Sequence, residues 1–167
     1  RTHTCGELSR KDAKKEVDLC GWINSRRDHG GVIFIDLRDR YGITQVVFSQ
    51  DNKQVFSHAK HLSKEDVIKI SGTVTIRSEK LINKKIQTGE IEVHAKDLVI
   101  INKSKTPPIE IDSEKEPGEE VRLKYRYLDL RRERMKSNIL LRHKIVKSIR
   151  EYMNENEFVD IETPFLT

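Results

Sequence analysis

The sequence predicts a mainly β protein: a five-stranded barrel, then a hinge, then a truncated α-helical/α+β segment. Apolar and polar residues alternate with period two through most of residues 17–101. Beyond residue 120 the apolar spacing becomes helical. Between the two, residues 102–120 (NKSKTPPIEIDSEKEPGEE) hold three of the four prolines and many charges, the composition of an interdomain linker. The expected domains are residues 1–101, the hinge 102–120, and residues 121–167.

Residues 17–28 (VDLCGWINSRRD) read as the first strand, with Gly30-Gly31 as the turn after it. Residues 32–39 (VIFIDLRD) form the second, Tyr41-Gly42 reverses the chain, and residues 43–48 (ITQVVF) form the third. Residues 51–62 place Val55, Ala59 and Leu62 along one side of a helix, and residues 66–78 and 90–101 supply two more strands. Three strands, a helix and two further strands is the order of an OB-fold, a five-stranded Greek-key barrel whose members often bind oligonucleotides.

Alternation assigns faces, because successive strand side chains point opposite ways. Ile68, Ile70, Gly72, Val74 and Ile76 share the inner face of the fourth strand; Lys69, Ser71, Thr73, Thr75 and Arg77 share the outer one. In the fifth, Ile91, Val93 and Ala95 point inward and Glu90, Glu92 and His94 outward. Ile33, Ile35 and Leu37 take the apolar side of the second strand, which leaves Phe34 with Asp36 and Arg38 on the polar side. Val46 and Phe48 leave Gln45 and Val47 opposite them. An outward Phe34 has two readings: it packs under a loop or the helix, or a nucleobase covers it. The first strand breaks the rule. Val17, Leu19 and Ile23 share a parity with Arg27, which should not point inward; a bulge or a strong bend would re-aim it, and periodicity does not place Arg26 and Arg27.

Past the hinge, residues 119–132 read as one helix and residues 137–155 as a longer one lined by Leu141, Ile145, Ile149 and Tyr152. Residues 158–161 read as a short strand. Trp22 is expected in the barrel packing, and Lys11, Lys14 and Lys15 as plain surface charge. His58 and His61 lack acidic or Cys partners, so no metal site is expected.

Net charge is +5, from 32 Lys+Arg against 27 Asp+Glu; this excess suits either docking a nucleic acid on one face or a plain solvated surface with a slight basic bias, without making a general polyanion binder. Cys5 and Cys20 make neither a disulfide framework nor a CxxC site. No stretch has the apolar length of a membrane span, and the start lacks a signal-peptide core, so a soluble cytoplasmic protein is expected.

Residues 20–48 (CGWINSRRDHGGVIFIDLRDRYGITQVVF) resemble the anticodon-binding domain of bacterial aspartyl-tRNA synthetases over nearly their whole length. RTHTCGEL, SGTVTIRSEKLINKKIQTGEIEV and RLKYRYLDLRRERM match the same family. The ending FVDIETPFLT is similar to motif 1 of class II synthetases, with Pro164 as its proline. LDLRR is shared with lysyl enzymes and motif 1 with the wider class, so RRDHGGVIFIDLRDR selects the aspartyl branch.

The resemblance implies that Phe34 stacks on the central anticodon base while Gln45 bonds its pairing edge, the usual way of reading splayed RNA loops. It implies Arg27 and Glu92 at the first base, and Arg77 and Asn83 at the third base or its phosphates. Alternation independently turns Phe34, Gln45, Arg77 and Glu92 outward. His29 and Leu81 stand where the family discriminates the third base. A histidine at 29 accompanies relaxed enzymes that also charge tRNA-Asn, whereas Leu81 departs from the small residue usual beside it. Thr75 and Leu81 replace basic or amide side chains found in some relatives, which weakens discrimination there. The implied partners are tRNA-Asp, with tRNA-Asn as a further possibility, and a second copy in a homodimeric full-length enzyme, packed through Ile145, Ile149, Tyr152 and Pro164.

Motifs 2 and 3, which bring the arginine and acidic residues for ATP, Mg²⁺ and the amino acid, do not occur before Thr167. No Ser/His/Asp set or phosphate-cradling glycine loop replaces them. The chain is therefore expected to be a fragment that binds tRNA and catalyses nothing alone, without a cofactor or catalytic residue of its own; ATP and Mg²⁺ belong to the full-length aspartate–tRNA ligase. The alternatives are a free-standing OB-fold module for single-stranded nucleic acid, which leaves RYLDLRR and IETPFLT unexplained, and a module that dimerises through residues 137–167 without RNA.

Overall fold

The computed structural model describes residues 1–113 and 115–164; the last three residues of the motif-1-like ending lie outside the described residues. Five strands close into one barrel: β1 (Glu16–Asp28), β2 (Val32–Arg38), β3 (Ile43–Ser49), β4 (Val67–Ile76) and β5 (Ile91–Asn102). Their order around the barrel is β1-β2-β3-β5-β4, with β3 and β5 parallel and the other pairs antiparallel. Helix α1 (Lys53–Lys60) connects β3 to β4. Its N-terminus is capped by Asn52, whose side chain accepts from the Val55 amide at 3.2 Å, and it buries Val55, Phe56 and Ala59.

The inner face is the one alternation selects. Ile33, Ile35, Leu37, Val46, Phe48, Ile68, Ile70, Val74, Ile91 and Val93 are all buried. Each contributes about 1.5–3 kcal/mol relative to exposure. Ile76, expected with them, is 45% exposed because it stands where β4 ends.

A bulge settles the parity of β1. Ile23 opposes Leu37 but Ser25 opposes Asp36, so Asn24 is the inserted residue. Beyond it the faces exchange, and Arg27 lies outside, opposite Phe34. Asn24 Oδ1 accepts from Arg38 Nη1 at 2.7 Å, and Arg38 Nη2 donates to Glu65 Oε1 at 2.6 Å, which pins the inserted residue. Before the bulge the even positions face out. Trp22 is among them and is 37% exposed, so it is not part of the barrel packing expected for it.

A second bulge sits at Lys96: Gly72 opposes Ala95, whereas Ser71 opposes Asp97. The buried side of β5 then passes to even positions, with Leu98 buried and Val99 and Ile101 exposed. A Cβ at Gly72 would stand 2.4 Å from the His94 carbonyl oxygen, so only glycine allows the strands to approach here. Fully buried Asp66 ties the start of β4 to the end of β5. It accepts from Lys103 Nζ and from the Ser104 and Ser63 amides, each at 2.8 Å.

The chain divides into two compact units, Arg1–Pro107 and Pro108–Thr167. The second holds α2 (Glu119–Lys124), α3 (Arg126–Asp129) and α4 (Glu133–Glu155). One helix was expected over residues 119–132, but the backbone breaks at Tyr125, with φ −111° and ψ 45°. The break lets buried Asp129 accept from both Arg122 Nε at 3.1 Å and Arg126 Nη1 at 2.9 Å. In an unbroken helix residues 122 and 129 would stand roughly 10.5 Å apart along the axis. Residues 158–161 are not a strand, because a strand needs a neighbour for its ladder and none is present in this unit among the described residues. No helix among the described residues is long and apolar enough to cross a membrane.

Replacing Ile35 with Ala should destabilise the barrel by about 2–5 kcal/mol. Replacing half-exposed Val99 with Ala should cost less than about 1 kcal/mol. Urea unfolding followed by circular dichroism measures both.

Candidate nucleic-acid interface

Strand register assembles two rows on the outer face. Arg27 opposes Phe34, Phe34 opposes Val47, and Val47 pairs with His94. In the adjoining row Ser25 opposes Asp36, Asp36 opposes Gln45, and Glu92 opposes Thr75. The Asn24 bulge is what admits Arg27 to the first row.

The polar members bond into one chain. Asp36 accepts from Ser25 Oγ at 2.5 Å and from Arg27 Nη2 at 3.0 Å. Arg27 Nη2 also reaches Gln45 Oε1 at 3.1 Å, and Gln45 Nε2 donates to Glu92 Oε2 at 3.1 Å. His94 Nε2 lies 3.0 Å from Glu92 Oε1. Ionised Glu92 can only accept, so this nitrogen carries the proton. The hydrogen bond from His94 holds the Glu92 carboxyl below its ordinary range, against the opposing effect of burial. The same bond raises His94. Gln45 keeps its place on the outer face but is only 8% exposed, covered by its bonded neighbours.

Phe34 is half-buried, and His29 meets it edge-on, with ring centroids 5.6 Å apart and planes at 76°. At the far end Arg77, expected to face outward, is 7% exposed. Its Nε donates to the Ile91 carbonyl at 2.9 Å, its Nη1 reaches the Leu81 carbonyl at 3.4 Å, and its buried Nη2 has no partner. Burial lowers the Arg77 pKa, with Glu92 partly compensating.

The loop from β4 to β5 forms the rim. A short 3₁₀ turn, Glu79–Leu81, precedes Asn83, whose amide donates to the Gly89 carbonyl at 3.1 Å. A Cβ at Gly89 would fall 1.8 Å from the Asn83 carbonyl oxygen, so the loop closes this tightly only on glycine.

Arg27, His29, Phe34, Gln45, Arg77, Leu81, Asn83 and Glu92 all line one open groove of about 660 Å³. Sequence reasoning had put His94 on the outer face without giving it a role, and had passed over Asp51; both line the same groove. The parity His94 shares with Glu92 was the available signal. Ile145, Ile149, Tyr152 and Pro164 belong to the second unit. The first three stand 51–65% exposed on α4, and Pro164 is exposed. Among the described residues no group of three or more His, Cys, Asp or Glu side chains could hold a metal ion.

A curved sheet face carrying a half-buried aromatic ring beside paired amide, guanidinium and carboxylate groups is an arrangement that OB-folds can present to unpaired bases. Residues 17–101 match the family described as OB-fold nucleic acid binding domain, and the chain belongs to that family. Residues 118–167 match tRNA synthetases class II (D, K and N). The chain is 56% identical, over all of its length, to the Aspartate--tRNA(Asp/Asn) ligase of Desulfotalea psychrophila. It is 52% identical over 99% of its length to the enzyme of that name from Caldanaerobacter subterraneus. It spans 28% of the length of each. An aspartyl-tRNA synthetase from Entamoeba histolytica shares the fold, with a TM-score of 0.89 at 20% identity, covering 99% of this chain and 40% of that one. An asparaginyl-tRNA synthetase from Pyrococcus horikoshii superposes with a TM-score of 0.84 at 25% identity, covering 100% and 38%.

The Glu92–His94 pair gives stability a pH window. Glu92, lowered in the fold, stabilises above its unfolded value and loses this as pH falls through its folded pKa. His94, raised in the fold, stabilises below its unfolded value and loses this as pH rises through its folded pKa. The pair therefore contributes most between the ordinary values of 4.5 and 6.5. In melting curves from about pH 4 to 9, His94→Leu should flatten the loss on the alkaline side relative to the parent.

Proposed function

We propose that this chain is the anticodon-recognition part of an aspartate–tRNA ligase. Residues 1–101 form the recognition barrel, residues 102–120 the hinge, and residues 121–167 the opening of a class II catalytic domain. The observation that carries this reading is the row Arg27, Phe34, Val47 and His94 lying beside Gln45 and Glu92 on one face. A ring with one side open can stack on a base, worth about 1–3 kcal/mol.

Phe34 stacks on the central anticodon base and Gln45 bonds its pairing edge. Both ends of the Gln45 amide are already engaged, by Arg27 and Glu92, so RNA docking exchanges one of these bonds for one to the base. Arg27, whose side chain is 47% exposed, is the partner free to swing. With Glu92 it addresses the first base, where a carboxylate accepts from the amino and imino groups of guanine. Arg77 and Asn83 address the third base or its phosphate.

tRNA-Asp is the proposed substrate, and tRNA-Asn a second. Their anticodons, GUC and GUU, differ only at the third base, and Leu81 on that side of the groove has no side-chain polar atom to tell cytosine from uracil. His29 beside Phe34 and the names of the similar ligases support the same reading. The complete enzyme is proposed to be cytoplasmic, to form aspartyl-adenylate from ATP and transfer aspartate to the terminal adenosine, and to dimerise through Ile145, Ile149, Tyr152 and Pro164. Among the described residues no group of three or more His, Cys, Asp or Glu side chains could hold Mg²⁺ for ATP, and no step of that chemistry is assigned to them.

Binding of the full chain to anticodon hairpins at fixed salt tests the reading. The GUC hairpin should bind, GUU should bind within a few-fold of it, and GAC should bind weakly. Phe34→Ala should cost about 1–3 kcal/mol on GUC. Undiminished binding by a folded Phe34→Ala chain would overturn the assignment.

A further inference from the structure

Glu92 uses its two oxygens differently. Oε2 accepts from Gln45 and lies 3.6 Å from Arg77 Nε, whereas Oε1 meets only His94 among the bonds described. A carboxylate's terminal torsion is broad and nearly two-fold, so without a second anchor this one would turn. His94 stands two residues along β5 on the same outer face and supplies that anchor. We propose that His94 is a positioning residue: it fixes the Glu92 carboxylate for the first anticodon base and couples RNA binding to proton uptake. This rests on the anticodon reading of the groove.

The surroundings of His94 make the coupling specific. Across the register it meets Val47 on β3 and Thr73 on β4, neither of which titrates. Lys96, next on its own face of β5, is paired with Glu16. Within the groove the charged groups are Arg27 on β1, Asp51 before α1, Arg77 after β4, and Glu92, with His29 on the β1–β2 turn. Glu92 is the group in contact, and it already favours the imidazolium. RNA phosphates entering the groove add negative charge and favour it further. By linkage, binding then takes up a proton and tightens as pH falls.

The full chain is titrated with GUC and AUC hairpins at fixed ionic strength, from about pH 5.5 to 8.5, by fluorescence anisotropy. The parent should prefer GUC and tighten on acidification. His94→Leu should lose roughly three- to tenfold of the first-base preference, the net worth of one ordinary hydrogen bond, and most of the pH slope. His94→Gln, which keeps a donor but cannot titrate, should restore the preference and not the slope. His29 is present throughout, so any slope it contributes is common to all three proteins. A folded His94→Leu chain with unchanged preference and slope overturns the proposal, as does one that only melts earlier. Phe34→Ala is run alongside: if it binds undiminished, the anticodon reading itself fails, whereas its loss with His94→Leu unaffected rejects only the role of His94.

Discussion

One inserted residue in β1 decides what the groove contains. Strand side chains alternate without exception unless the backbone takes an extra step, and the barrel interior is filled by apolar side chains. Asn24 is that step, and its own side chain bonds Arg38, which in turn reaches buried Glu65. Without the insertion, the parity that buries Leu19 and Ile23 would drive Arg27 into the core. With it, Arg27 joins Phe34 and the Asp36–Gln45–Glu92 line. Packing demands on the inside and recognition chemistry on the outside are thus reconciled at one position.

The groove is organised before any ligand arrives. Gln45, Glu92 and His94 hold one another through bonds of 3.0–3.1 Å, so their rotamers are fixed by neighbours. Fixed rotamers lower the entropic cost of binding, since less freedom remains to be lost. The arrangement also sets a threshold. A base that cannot replace the displaced bond leaves a buried amide or carboxylate short of a partner, and such a loss is costly. On the proposed reading, selectivity at the central position follows as much from the bonds already present as from those the RNA makes.

Where periodicity was uninterrupted, the fold was legible: β2, the first half of β4 and the first half of β5 have the faces their alternation assigns. The β1 bulge was legible as a contradiction, since Arg27 shared the parity of Ile23. The Lys96 bulge was not, because Val99, Ile100 and Ile101 are apolar on both parities and give no contradiction to notice. Arg77 was read as outward, yet it folds against the Ile91 carbonyl, a contact set by tertiary approach rather than spacing. The break at Tyr125 depends on Asp129 gathering arginines from two helices, which no local pattern encodes. Alternation gives Phe34, Gln45 and Glu92 only a direction; the roles expected of them rest on the resemblance.

Charge within the groove explains why its chemistry must be local. Arg27 and Arg77 are balanced there by Asp51 and Glu92, with Asp36 bonded to Arg27. The groove floor is therefore close to neutral, while Lys80, Lys84 and Lys85 stand exposed on the neighbouring loop. A neutral floor suits reading bases, because stacking and directed hydrogen bonds then distinguish one loop from another while Coulomb attraction does not. It also makes a single titrating side chain count. With Asp36 counted, the fixed charges sum to about −1, so a proton on His94 brings the groove to neutrality.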